Sequence, residues 1–152
     1  MIQRIQTIYL LLAVAFIMAL FYFPLGKMAG DTGEASYFIY GLMEGLEGKV
    51  TLLTPFPFGL WIVFVLISFA TVLFYKNRPR QIFLCRLLWM LVAVGQGVIF
   101  FYGYRLAGLF PDRSFKISPV AFLPLVSMLF VVLALRRIHK DEELVRAADR
   151  LR

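Results

Sequence analysis

The chain has 152 residues, 61% of them hydrophobic, with a mean hydropathy of +0.82. Water-soluble domains are about 45–50% apolar, so too little polar surface remains here to cover a soluble core, and the composition points to a membrane protein. The net charge is +7, but Lys and Arg flank apolar runs instead of forming a basic module of their own, so no nucleic-acid partner is expected. The single cysteine, Cys85, excludes an internal disulfide and a CxxC redox pair.

Four apolar runs follow one another: Ile5 to Phe23, Phe56 to Tyr75, Ile82 to Tyr104 and Pro119 to Leu135. Each is close to the ~20 residues that cross ~30 Å of hydrocarbon as a helix. Arg4 and the segment Lys27-Met28-Ala29-Gly30 give the first run some likeness to a cleaved signal peptide, but its apolar stretch exceeds a signal core of about 7–15 residues, so it is read as a span. Ser118-Pro119 opens the fourth run with a hydroxyl cap and a proline at the first helical position. Pro124 inside that run predicts irregular first turns or a kink.

Charge sets the expected topology. Arg4, Lys76, Arg78, Arg80, Arg86, Arg136, Arg137, Lys140, Arg146, Arg150 and Arg152 fall on one side, against Lys27, Lys49, Arg105, Arg113 and Lys116 on the other. The richer side stays inside, which places both termini in the cytoplasm. The expected fold is an all-α bundle of four transmembrane helices forming one domain. Outside, residues 24–55 and 105–118 form loops. Ser36 to Tyr40, Lys49 to Thr54 and Ser114 to Ile117 are β-prone, with Gly41 to Gly48 as turn material, so a hairpin or three-stranded cap is expected. Inside, residues 136–152 form the tail. From His139 on, Leu144, Val145, Ala148 and Leu151 recur at helical spacing, and Glu142 and Arg146 stand four apart in the favourable order. A short amphipathic helix is expected there, lying on the membrane, on the bundle or on a partner.

The spans carry little chemistry. None has Asp, Glu, Lys or His at its middle, where an ion-coupled transporter places such groups. Arg86 lies near enough to the inner end of its span to snorkel to headgroups; its sharper reading is a lipid-phosphate or partner contact together with Arg78 and Arg80. Gln96 is the mid-span polar residue. Gly103 and Ala107 follow on nearly its face, and Ala93 and Gly97 mark an adjoining small-residue face; packing inside the bundle or contact with another chain are the two readings. His139 has no second histidine or cysteine nearby, and Asp31, Glu34, Glu44 and Glu47 read as a solvated acidic loop. No nucleophile elbow, P-loop, HExxH or dinucleotide fingerprint occurs. No catalytic, cofactor-binding or metal-ligating residue is therefore expected. The candidate partner or lipid contacts are Arg78, Arg80, Arg86, Gln96, Arg136, Arg137, Leu144, Arg146 and Leu151.

The opening Met1-Ile2-Gln3-Arg4-Ile5-Gln6-Thr7-Ile8-Tyr9-Leu10-Leu11-Leu12-Ala13 resembles the start of an uncharacterised family of small four-span membrane proteins of Bacteroidota. Lys140-Asp141-Glu142-Glu143-Leu144-Val145-Arg146 and Asp149-Arg150-Leu151-Arg152 resemble its ending. The resemblance implies a bacterial inner-membrane location and no activity, since the family is a domain of unknown function. Three roles are open to such a chain. A non-enzymatic accessory or assembly subunit would meet a protein partner, or another copy of itself, through the link and tail. A small channel or transporter for a lipid or apolar molecule needs a cavity lined by Gln96, Tyr102 and Ser127. A membrane enzyme needs Arg105, Asp112 and Arg113 to converge with Glu44.

Overall fold

The computed structural model describes residues 3–30, 33–44, 49–74, 77–109 and 114–150, and their side chains except those of 3, 4, 49, 51, 145, 146 and 148–150. Its order is α1 (Gln3–Tyr22), β1 (Gly26–Gly30), β2 (Gly33–Phe38), β3 (Gly41–Glu44), β4 (Lys49–Leu53), α2 (Pro55–Leu73), α3 (Arg78–Leu109), β5 (Ser114–Ile117), a 3-10 turn at Pro119–Phe122 and α4 (Leu123–Arg150). All four α-helices are long and apolar enough to cross a membrane.

The helices close into a ring in which α1 packs on α4 and α2, and α3 packs on α2 and α4. Lipid tails are as apolar as leucine, so the contacts inside a bundle of this kind rest on close packing and hydrogen bonds across helices. Both are present. The Phe16 and Phe130 rings stack at 5.5 Å between α1 and α4, and Ser127 Oγ donates to the Ala13 carbonyl at 3.1 Å. Between α2 and α3, Trp61 is fully buried against Gly95, where a Cβ would stand 2.6 Å from the indole. Outside the ring, Leu66, Phe83, Leu129 and many other large apolar side chains are exposed. A continuous apolar coat on this scale is a surface for lipid, not for water.

The segments beyond one end of the bundle build a five-stranded antiparallel sheet in the order β4-β3-β2-β1-β5. Strands β1 to β4 form a meander, and β5 arrives from the second loop to pair with β1. The sheet is larger than the hairpin or three strands expected. Gly26-Lys27-Met28-Ala29-Gly30 has low β propensity and becomes a strand because β2 and β5 flank it on both sides. Gly41 to Glu44, expected as turn material, is β3. Gly41 serves there because Leu52 O of β4 lies 2.3 Å from where its Cβ would be. Strands β1, β2 and β3 thus pair on both sides, and β4 and β5 form the edges.

Two joints fix the sheet to the helices. Thr54 N donates to Tyr40 O at 2.9 Å and its hydroxyl to Ile39 O at 3.1 Å, ending β4 as Pro55 opens α2. Ser118 N donates to Leu25 O at 2.9 Å, while its side chain caps the 3-10 turn through Val120 N. Pro124 sits just after that turn, so the irregular start expected of the fourth span is a 3-10 turn leading into α4. The tail is not a separate helix. Nothing in Arg136-Arg137-Ile138-His139 breaks helical geometry, and α4 runs unbroken to Arg150. At 1.5 Å per residue its length is about 42 Å, and that of α3 about 48 Å, so both outreach ~30 Å of hydrocarbon.

Candidate functional site

Neutral and charged polar side chains collect at the two ends of the bundle, and most of the expected contact residues lie at the end opposite the sheet. Asp141, on the extension of α4, is its organising residue. Gln6 Nε2 of α1 donates to the Asp141 carboxylate. Arg78 Nη1, at the start of α3, donates to the Asp141 backbone oxygen at 3.0 Å. One residue of α4 therefore ties the tail to two other helices. Nearby, Gln81 Nε2 donates to Thr71 O at 3.3 Å across the short link.

Around this joint Arg80, Arg86, Arg136, Arg137 and Lys140 are exposed, as is Leu144 at 54%. Arg78 is half-buried and engaged with α4, so its first role is to hold the tail. The side chain of Arg146, and Leu151, lie outside the described residues, as do the side chains of Val145 and Ala148. Gln96 is elsewhere. It is 7% exposed on α3 and donates to Ala121 O at 3.0 Å, leaving its Oε1 buried without a partner among the described residues. Ala93 and Gly97 face outward, so the small residue that packs inside the ring is Gly95. Of the groups an enzyme would need, Asp112 and Arg113 lie outside the described residues, Arg105 is exposed and Glu44 is half-buried. Asp31 and Glu47 also lie outside them.

At the sheet end, a cavity of about 300 Å³ lies where α3 meets the sheet and the 3-10 turn. Leu25, Tyr37, Ile99, Gly103 and Ala121 form its buried floor, and Phe100, Tyr104 and Ile117 its exposed rim. The Phe115 ring fits between two glycines here: a Cβ on Gly26 would stand 2.7 Å from it, and one on Gly103 3.4 Å. The lining is apolar save for tyrosine hydroxyls. Tyr37 is 1% exposed, and its hydroxyl is buried with no hydrogen-bond partner among the described residues. An unpaired buried donor costs about 1–3 kcal/mol. Burial, and then the neighbouring Tyr102, push the Tyr37 hydroxyl well above the usual tyrosine range. None of Gln96, Tyr102 and Ser127, the residues expected to line a cavity, lines this one: Ser127 is bonded to Ala13 of α1, Gln96 to Ala121, and Tyr102 is half-buried on α3.

The match to the family model spans residues 2–151 and carries the description domain of unknown function DUF4293. The chain belongs to this family. No curated protein matches it significantly. The two terminal stretches that carry the family likeness meet in space, Gln6 from the first touching Asp141 from the second. Sequence reasoning missed Gln6, Asp141 and Tyr37. Gln6 had a signal, an amide within the first turns of an apolar span. Tyr37 had none, since only the sheet shows which face of β2 is buried.

Proposed function

We propose that this DUF4293 protein is a multi-pass protein of a bacterial inner membrane, both ends cytoplasmic, acting as a non-enzymatic accessory or assembly subunit. The observation that carries this reading is the joint at Asp141. It holds the extension of α4 against α1 and α3, so that Arg80, Arg86, Arg136, Arg137, Lys140 and Leu144 stand exposed on a braced frame rather than a loose tail. Pre-organised side chains lose less entropy on binding, and arginine beside an apolar anchor suits a protein interface. The same charges favour retention on the cytoplasmic side and contact with anionic lipid. The family likeness supports a Bacteroidota source.

The test is crosslinking and affinity isolation from native membranes in several mild detergents, comparing the natural chain with an Arg80→Ala/Leu144→Ser variant. A stoichiometric protein, or a second copy of this chain, crosslinked through the link and the tail and lost in the variant is the expected result. Recovery of a lone monomer in every detergent overturns the proposal. A second reading, a small channel or transporter for a lipid or apolar molecule, is favoured by the apolar lining of the outer cavity.

A further inference from the structure

The end of the bundle opposite the sheet carries two arginines that their own helices leave without an acid. Helix α3 holds no Asp or Glu from Arg78 to Leu109, and the first acid of α4 is Asp141, beyond Arg136. One turn to either side of Arg86 stand Ile82, Phe83, Trp89 and Met90, and the same places around Arg136 hold Val132, Leu133, His139 and Lys140. Both arginines are exposed, and neither makes an ion pair or hydrogen bond among the described residues.

Their depth follows from the apolar runs. No charged residue stands between Arg86 and Arg105 on α3, and none from Pro119 to Leu135, just before Arg136. At the helical rise each stretch is about 27 Å long, close to ~30 Å of hydrocarbon. With these helices across a bilayer, both arginines stand where hydrocarbon meets headgroups. A guanidinium at that depth has to reach water or an anion.

The tertiary structure sets the two on one seam. Phe100 of α3 and Phe122 of the 3-10 turn have ring centroids 5.6 Å apart, and both side chains are exposed, so their contact marks the lipid-facing edge between α3 and α4. Fourteen residues away from the sheet on each helix come Arg86 and Arg136. Fourteen residues are almost four turns, so each arginine returns to within about 40° of its phenylalanine's face. The bond from Arg78 to Asp141 gives a second register, which keeps the two arginines level to within about one turn. By the same rotation Arg80 falls on the side of Gly95, toward Trp61 of α2, and Arg137 on the side of Phe130, toward α1. The grouping of Arg86 with Arg78 and Arg80 expected from the sequence therefore changes. Arg78 is engaged by the tail, Arg80 lies on the other flank, and Arg136 shares the seam.

We propose that Arg86 and Arg136 together hold the phosphate of an anionic phospholipid, with an acyl chain lying along Trp89. The guanidinium fork matches phosphate oxygens in geometry and charge, and basic sites between transmembrane helices suit anionic headgroups. A zwitterionic headgroup brings its own cation, which two arginines repel, so the preference is for a headgroup of net negative charge. The proposal rests on the membrane-spanning reading above and leaves Arg80, Arg137, Lys140 and Leu144 to a protein partner.

Trp89 supplies the readout. It is 42% exposed and stands seven residues before Gln96, which bonds Ala121, so it lies on the same seam one turn from Arg86. The other tryptophan, Trp61, is fully buried. The full chain is reconstituted in phosphatidylcholine vesicles that contain a low mole fraction of phosphatidylglycerol. The bromine quencher is carried on the acyl chains of the phosphatidylglycerol in one sample and on an equal fraction of the phosphatidylcholine in the other. Brominated phosphatidylglycerol is expected to quench severalfold more strongly. Trp89→Phe should abolish that difference. Arg86→Gln/Arg136→Gln should bring the two lipids level, whereas Arg80→Gln/Arg137→Gln, which removes the same charge from the flanks, should keep the preference. Arg86→Lys/Arg136→Lys, which keeps the charges without the fork, should lose it only in part.

Equal quenching by both lipids in the natural chain, a preference that survives Arg86→Gln/Arg136→Gln, or one lost equally in Arg80→Gln/Arg137→Gln overturns the site. Relief of the quenching by added inorganic phosphate overturns the lipid as the source of the phosphate. Extraction of the chain from vesicles by alkaline carbonate overturns the spanning reading instead, so the two failures are separable.

Discussion

Gly95 and Gly97 stand two apart on α3 and have opposite surroundings. A Cβ on Gly95 meets the Trp61 indole at 2.6 Å, whereas one on Gly97 meets nothing within 4 Å. Trp61 is fully buried and has no free end to swing away. Gly95→Ala is expected to destabilise the bundle by about 1–3 kcal/mol through overpacking. Gly97→Ala should be neutral or stabilising by up to about 1 kcal/mol, since alanine favours helix. Thermal unfolding in a single detergent, with the two variants side by side, checks the contrast. The small-residue spacing was legible in the sequence, but the choice of Gly95 over Ala93 and Gly97 was not, because it depends on where Trp61 lands. Tyr37 gives a second expectation at this scale. Its hydroxyl is held protonated by burial above the ordinary value of 10.0. A raised value for an acid means the folded chain keeps its proton after the unfolded chain has lost it. The stabilisation is therefore fully present below about pH 10 and is lost as pH rises beyond it. Ultraviolet titration of the natural chain against Tyr37→Phe should show one tyrosine that ionises only with unfolding.

Among the elements, the end of α4 behaves differently from an independent amphipathic helix. Its helical periodicity could be read from Leu144, Val145, Ala148 and Leu151, but its continuity with the fourth span and its tether to α1 could not. Gln6→Ala and Asp141→Ala should each loosen residues from Asp141 onward, seen as faster amide exchange there with the centre of α4 unchanged. A double-mutant cycle on thermal stability should return a coupling of about 1 kcal/mol for this partly buried bond. The sheet carries the same lesson. Ser114-Phe115-Lys116-Ile117 announced itself by alternation and β propensity. Gly26 to Gly30 and Gly41 to Glu44 did not, because glycine and alanine have little preference for strands, and these segments are extended only through pairing with β2, β4 and β5.

For the molecule as a whole, the proposed orientation makes a direct prediction. With Cys85 replaced by serine, single cysteines at Asn77 and at His139 should react with a membrane-impermeant maleimide only in inverted vesicles. A cysteine at Glu34 should react in intact cells with a permeable outer envelope. Reversed labelling of these sites would invert the topology and with it the assignment of the braced basic face to the cytoplasm.

Composition and the spacing of apolar runs determined, without any structure, that four helices of membrane length would form. Hydrocarbon leaves a backbone no other way to satisfy its own hydrogen bonds, and this demand is local, so it is written along the chain. The start signal at Ser118-Pro119 belongs to the same local order. The tertiary structure alone decided the ring of neighbours, the five-strand order, the meeting of Gln6 with Asp141, and the cavity at Tyr37. Each depends on contacts between residues far apart in sequence, such as β1 with β5 or α1 with α4. A single sequence records such contacts only as scattered glycines and isolated polar side chains.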